Sequence, residues 1–169
     1  MQFNANDLIH LFNSTFADSE NTVLVRGDDE PLYLPADDNQ PRHRIIFAHG
    51  FFASGLHEIA HWCIAGRERR KLVDYGYWYR PDGRNAEEQA EFEIVEAKPQ
   101  AIEKAFSDAC GKPFEVSIDN LSGVPVDRSR FEQKVEAVLG HYREVGFPPR
   151  AQRFIDVLRQ YYQRRSEVA

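Results

Sequence analysis

The stretch RIIFAHGFFASGLHEIAHWCIAG, residues 44–66, governs how the rest of the chain is to be read. Its first part is a short apolar strand that ends at Gly50. Its second part sets Leu56, Ile59, Ala60 and Ile64 at helical spacing. Ser54 is an N-cap candidate and Gly66 a stop, so a helix is predicted from about Gly55 to Ala65. On that helix His57 and His61 lie four residues apart on one face, where both imidazoles can reach one metal ion. Glu58 projects near the open positions of such an ion. In helix-borne zinc proteases a glutamate so placed is the general base for a metal-bound water.

Beyond this stretch, the sequence runs without a visible linker or internal repeat, which predicts one domain over residues 1–169. ANDLIHLFNSTF opens the chain as an amphipathic helix, with Leu8, Leu11, Phe12 and Phe16 at helical spacing. TVLVRG reads as a strand and GDDEPLYLPAD as turn, strand and loop. DYGYWYRPDGR, residues 74–84, reads as an aromatic strand and a Pro-Asp-Gly turn. Asn85 caps a helix through about Lys98, and Pro99 opens another through about Cys110. PFEVSIDNLSG reads as strand and loop, and helices over about Arg128–Val145 and Arg150–Arg164 finish the chain. The expected class is α+β, helix-rich with a small sheet, carrying its metal site on helices in the zincin style.

The 169 residues can bury one core, and 42% hydrophobic with 28% charged residues is ordinary for a globular protein. A formal charge of −6 argues against general nucleic-acid binding. The most apolar run is too short to span a bilayer, and no basic segment leads into an apolar one at the N-terminus. Two cysteines, Cys63 and Cys110, without Cys-x-x-Cys pairing, point to a reducing cytoplasm. Against the acidic background stand two basic clusters, GRERRKL (66–72) and RQYYQRR (159–165), read as solvated helix ends or a docking surface.

Two histidines leave a metal site incomplete. The extended pattern with a third histidine six residues after His61 is absent, so a carboxylate from NAEEQAEFEIVEAKPQ (85–100) is the alternative. At about 100° per residue, with Phe92 as zero, Val95 falls near 300° and marks the inward face with Phe92. Glu96 then falls near 40°, Glu88 near 320° and Glu93 near 100°. An inward carboxylate is costly unless it is paired or binds a metal. Glu96 sits late in its helix, where the dipole gives an anion no help, so it is the first candidate ligand. Glu93 is the second.

FAHGFFASGLHEIAHWCIAG, DYGYWYRPDGR and FEIVEAKPQA, with FNSTF, GDDEPLYLPAD and DNLSG elsewhere, together resemble the elongation factor P hydroxylase family over nearly the whole chain. The resemblance implies an oxygen-dependent hydroxylase acting on the β-lysylated lysine of elongation factor P. It implies a two-histidine, one-carboxylate site on His57, His61 and a glutamate of EIVEA, for which the helical geometry prefers Glu96. Such a set suits iron(II), because it leaves positions for O₂ and substrate. Zinc is redox-inert but can load a purified protein. The rival readings are a small zinc metallopeptidase and a metal-stabilised binding protein without turnover.

Around this site His49, Tyr77 and Tyr79 are candidate pocket residues, as is Glu93 if it is not a ligand. Arg80, Asp82 and Arg84 are candidate substrate contacts. Glu58 is the candidate catalytic residue, either as a proton carrier or as an anchor for the substrate ammonium.

Overall fold

The computed structural model describes residues 2–77, 82–118 and 120–168. Helix α1 (Ala5–Phe16) is followed by strands β1 (Thr22–Arg26), β2 (Leu32–Leu34) and β3 (His43–Phe47), and then by helix α2 (Phe52–Ile64). Two short 3₁₀ turns, Arg69–Lys71 and Val73–Gly76, lead to α3 (Ala86–Cys110), α4 (Arg128–Val145) and α5 (Pro149–Val168). The class is α+β, as expected. The sheet runs β1-β3-β2, with β1 parallel to β3 from Thr22↔His43 to Arg26↔Phe47 and β2 antiparallel to it. No helix among the described residues is long and apolar enough to cross a membrane.

The central strand hands the chain directly to α2. His49 and Gly50 take left-handed backbone angles (φ 53° and 70°) to make the corner. Ser54 does not cap α2 as expected: the helix begins at Phe52, and the Ser54 hydroxyl accepts from the Ala48 N–H at 3.0 Å, pinning that corner. Behind α2 the apolar core closes around Trp62, whose ring meets Phe12 and Phe16 edge-on at 5.2 and 4.9 Å. Gly55 is required by close approach, since a Cβ there would stand 2.5 Å from Leu8 Cδ2. At the far end of α2, the Arg150 guanidinium donates to the carbonyls of Trp62 and Ala65 at 2.8 and 2.7 Å, and Arg70 donates to Ala65 at 2.9 Å. These bonds satisfy orphan carbonyls of the last turn.

Helix α3 overturns the expected break at Pro99, which lies inside one continuous helix of 25 residues. A capping box supports its start: Asn85 Oδ1 accepts from Glu88 N, and Glu88 Oε1 accepts from Asn85 N. Packing against α2, α4 and α5 outweighs the bond lost at the proline. The strand expected in PFEVSIDNLSG is not formed among the described residues 113–118. The expected aromatic strand is likewise absent from its described part: Val73–Gly76 is a 3₁₀ turn, and Trp78, Tyr79 and Arg80 lie outside the described residues. Asp74, Tyr75 and Gly76 take φ values of 48°, 61° and 74°. Left-handed angles of this kind disfavour each non-glycine residue by about 1–2 kcal/mol.

Arg84 ties α3 to the segment before α4 and is only 1% exposed. Its Nε donates to Gln89 Oε1 at 2.7 Å and Nη2 to the Ile118 carbonyl at 3.4 Å, with Phe92 stacked below at 3.8 Å. Asn120 grips the Arg84 main chain from both sides, at 2.7 and 2.8 Å. Asp82 accepts from both Ser122 N and Ser122 Oγ. Arg84 and Asp82, candidate substrate contacts by sequence, therefore form a structural clasp. Replacing Arg84 by Met should cost about 3 kcal/mol, because Gln89 and Ile118 keep buried acceptors without that donor. Thermal unfolding should show a melting temperature lower by roughly 6–12 °C.

Candidate metal centre

The face of α2 that carries His57 and His61 packs on α3, which supplies Glu96 from one helical turn above Gln100. His61 Nε2 stands 3.0 Å from Glu96 Oε1 and 3.1 Å from His57 Nε2, and His57 Nε2 stands 3.5 Å from Glu96 Oε2. Among the described residues this is the one group of three potential ligands whose donor atoms converge within 4.8 Å. Two ligand atoms each about 2.1 Å from an ion lie roughly 3.0 Å apart at a right angle and roughly 3.4 Å apart at a tetrahedral one. The three separations, of which the two to Glu96 end on different carboxylate oxygens, lie close to that range, so the residues fit a first-row divalent ion. Burial points the same way. Glu96 is 2% exposed, and a carboxylate so covered needs positive charge beside it.

The support around these groups comes from further along α3. Glu103 Oε1 is 2.7 Å from His57 Nδ1. With Nδ1–H donating to this carboxylate, the Nε2 lone pair of His57 is turned toward His61 and Glu96, the tautomer that a ligand needs. Gln100 donates to Glu96 Oε2 at 3.1 Å while clamped by both main-chain groups of Ser117. Sequence reasoning missed Glu103 and Gln100 because it ended the helix at Pro99. A signal was there: Gln89, Glu93, Glu96, Gln100, Glu103 and Ser107 repeat at intervals of four and three, and all are buried. Polar residues on a heptad stripe mark the inner face of a helix as surely as leucines do, when something polar faces them.

The charges are strongly interdependent. Burial alone would drive the His57 imidazolium down, but the carboxylates of Glu96, Glu103 and Glu58 outweigh it and raise it to about 10. Burial would raise Glu96, but His61 and His57 hold it well below the usual carboxylate range. Without a metal, a proton on His57 thus does the work of a cation, and a divalent ion binding there must displace it. Glu58 is pushed up, mainly by burial, with His57 and His61 opposing and Glu96 and Asp74 adding to the rise.

Other candidates fall in different places. Glu58 lines a cleft of about 220 Å³ with His61, Asp74, Tyr75, Tyr77 and Val95. Tyr77 is therefore at the site, and Tyr79 lies outside the described residues. Glu93, 1% exposed, turns to Arg130 at 3.4 Å and Lys134 at 3.5 Å, away from the histidines. His49 sits at the corner before α2, 3.5 Å from Asp29, and is not among the residues lining the cleft. Cys63 and Cys110 are buried free thiols, both pushed up to about 12 by burial.

The sequence profile of the elongation factor P hydroxylase family matches residues 11–169. The chain belongs to the elongation factor P hydroxylase family. A relative from Haemophilus influenzae, named elongation factor P lysine hydroxylase, is 48% identical over 168 residues, covering 99% of this chain and 94% of that one. Family membership favours hydroxylation over peptide-bond hydrolysis as the use of the His-Glu-x-x-His helix. The strings that resemble the hydroxylase family fall into two groups. Residues 55–66 and 92–101 carry the histidines and Glu96, whereas Asp82–Arg84 and Asn120–Gly123 form the clasp. In the basic cluster, Arg69 donates to the Tyr75 carbonyl and covers the Tyr77 ring, and Arg70 caps α2. Charge reversal at Arg69 or Arg70 would therefore disturb the fold as well as any docking surface.

Two outcomes are expected. Glu103→Gln should weaken iron(II) or zinc affinity about 10–100-fold, measured by competition with a chelating dye, with little change in the circular dichroism spectrum. In chelator-treated protein, the His57 contribution to stability is full below pH 6.5 and is lost as pH rises through about 10. The Glu96 contribution is full above pH 4.5 and is lost in acid. The metal-free melting temperature should thus peak between these limits, and added zinc should raise it more at pH 8 than at pH 6. A zinc effect independent of pH would contradict the cluster as a ligand set.

Proposed function

We propose that this protein is an oxygen-dependent hydroxylase of the β-lysylated lysine on elongation factor P, with iron(II) held by His57, His61 and Glu96. The observation that carries the reading is the convergence of these three side chains, 3.0–3.5 Å apart, at the end of an acidic, aromatic cleft, in a chain of the hydroxylase family. The relative's name supports elongation factor P and its lysine as substrate, and the β-lysylated form follows from the family resemblance. A redox-active ion there supplies the electron transfer that O₂ activation and C–H cleavage require, which zinc does not.

The chain's own residues do the rest. Gln100 and the two imidazoles fix the Glu96 carboxylate, and Glu103 fixes the His57 ring, so the ligand set is preorganised rather than assembled on binding. Glu58 is not among the converging donors; it faces the cleft, where its carboxyl, pushed up by burial, can carry a proton or, when ionised, hold a cation. Tyr77 is 42% and Ile94 72% exposed beside the opening. They give the opening an apolar face suited to a protein substrate, and Leu72 and Val73, just before Asp74 in the chain, are exposed as well. A translation factor as substrate implies a cytoplasmic enzyme.

Intact-mass spectrometry of β-lysylated elongation factor P tests the reading. Incubation with the iron-loaded protein, a reductant and O₂ should add one oxygen atom, and an anaerobic or zinc-loaded control should add none. Glu96→Ala and His57→Ala should reduce the rate at least 100-fold, whereas Glu93→Ala should act mainly on stability. Cleavage products in the zinc sample, with no oxygen gained in the iron sample, would restore the peptidase.

A further inference from the structure

The opening beside the metal centre has two arms that share His61, Tyr75, Tyr77 and Val95 as walls. One arm, of about 220 Å³, adds Glu58, Asp74 and Pro31; the other, of about 260 Å³, adds Ile64, Ile94 and Pro99 with Lys98. The acidic arm thus carries two carboxylates and no lysine or arginine among its described lining residues. The apolar arm carries one ammonium, that of Lys98. Beyond Glu96 and Glu103, whose two charges a divalent ion would balance, the acidic arm adds the carboxyl groups of Glu58 and Asp74. The surplus lies on the open side, where a ligand can answer it.

Asp74 is held in this position by the left-handed turn. Its Oδ1 accepts from the Tyr33 N–H at 2.9 Å, Tyr75 stacks on Tyr33 at 4.3 Å, and Arg69 donates to the Tyr75 carbonyl at 3.0 Å. The second carboxylate oxygen has no partner among the described residues. The Tyr75 hydroxyl, in the wall common to both arms, is fully covered and also lacks a partner there. Asp74 is exposed, so its second oxygen is open to a ligand, and the arm offers a carboxylate fixed in place by the sheet edge.

We propose that the acidic arm seats the terminal ammonium of the substrate side chain, and that Asp74 is the residue that selects for it. The apolar arm then takes the alkyl part, and Lys98, which repels an ammonium, sets the direction in which the side chain lies. A long cationic chain so placed runs past His61, with its charge at Asp74. This inference rests on the hydroxylase reading and adds its specificity determinant.

The test uses two synthetic peptides, one carrying a β-lysylated lysine and one in which a methyl group replaces the terminal ammonium. Binding to the iron(II)-loaded protein is measured by titration calorimetry under nitrogen, so that no turnover occurs. Wild type should bind the cationic peptide about tenfold more tightly, the size of one charge-assisted hydrogen bond. In Asp74→Asn, which keeps an oxygen for Tyr33 N, the preference should shrink to threefold or less. Lys98→Glu, at an exposed position, should raise the affinity for the cationic peptide and leave that for the methyl peptide nearly unchanged, because a repelling charge becomes an attracting one. An unchanged preference in Asp74→Asn overturns the assignment of Asp74 while leaving the hydroxylase intact. Failure of wild type to bind either peptide overturns the substrate reading together with this one.

Discussion

Everything in this fold turns on the fact that α3 points carboxylates inward. Glu93, Glu96 and Glu103 are all buried on one long helix, and each needs a cation or a strong donor on the element it faces. Glu93 finds Arg130 and Lys134 on α4; Glu96 and Glu103 find the histidines of α2. The helix is thus docked on its neighbours by charge as well as by Phe92, Ile102 and Phe106. The same demand that would be a liability in an apolar core makes the α2–α3 interface a place where a metal ion is welcome. Neighbouring polar groups act as restraints: Gln100 ties Glu96 to the chain before α4, and Arg84 clamps that segment to the start of α3.

The histidine pair, Glu96 and most helices were legible in the sequence because they follow helical periodicity. Glu96 could be preferred over Glu93 from the angle each makes with Phe92 and Val95, and the structure places Glu96 beside the histidines and Glu93 beside α4. Glu103 was not legible. Reading Pro99 as a helix start cut the polar stripe in two and hid that Glu103 follows Glu96 by seven residues on the same face. Propensity at one residue lost to packing along the whole helix. Ser54 failed as an N-cap for another reason: its hydroxyl had a better donor in the corner that joins β3 to α2. Arg84 and Asp82 looked like substrate contacts because charge next to a turn is normally solvated. What the sequence does not reveal is that Asn120 and Ser122 return to meet them.

Asp74 and Tyr75 illustrate how one segment can hold the fold and wall the cleft together. Asp74 covers an edge N–H of β2 with one oxygen and faces the cleft with its side chain. Tyr75 packs on Tyr33 as a core residue and at the same time walls the site. A strained turn persists only where its surroundings overdetermine it. Here the surroundings are the sheet edge on one side and Arg69 on the other.

The contact between His61 and Glu96 also has a topological meaning. It joins two points separated by the whole excursion of residues 62–95, which leaves α2, passes through both 3₁₀ turns and comes back on α3. An ion shared by the two helices would turn this excursion into a closed ring of about 35 residues. Ring closure of that size lowers the entropy of the unfolded chain by an amount equivalent to about 4 kcal/mol, in the manner of a disulfide. In a protein whose two cysteines stay apart as free thiols, the metal would be the cross-link. The segment most loosened by its departure would be the exposed stretch after α2, the same stretch that supplies Asp74, Tyr75 and Tyr77 to the cleft.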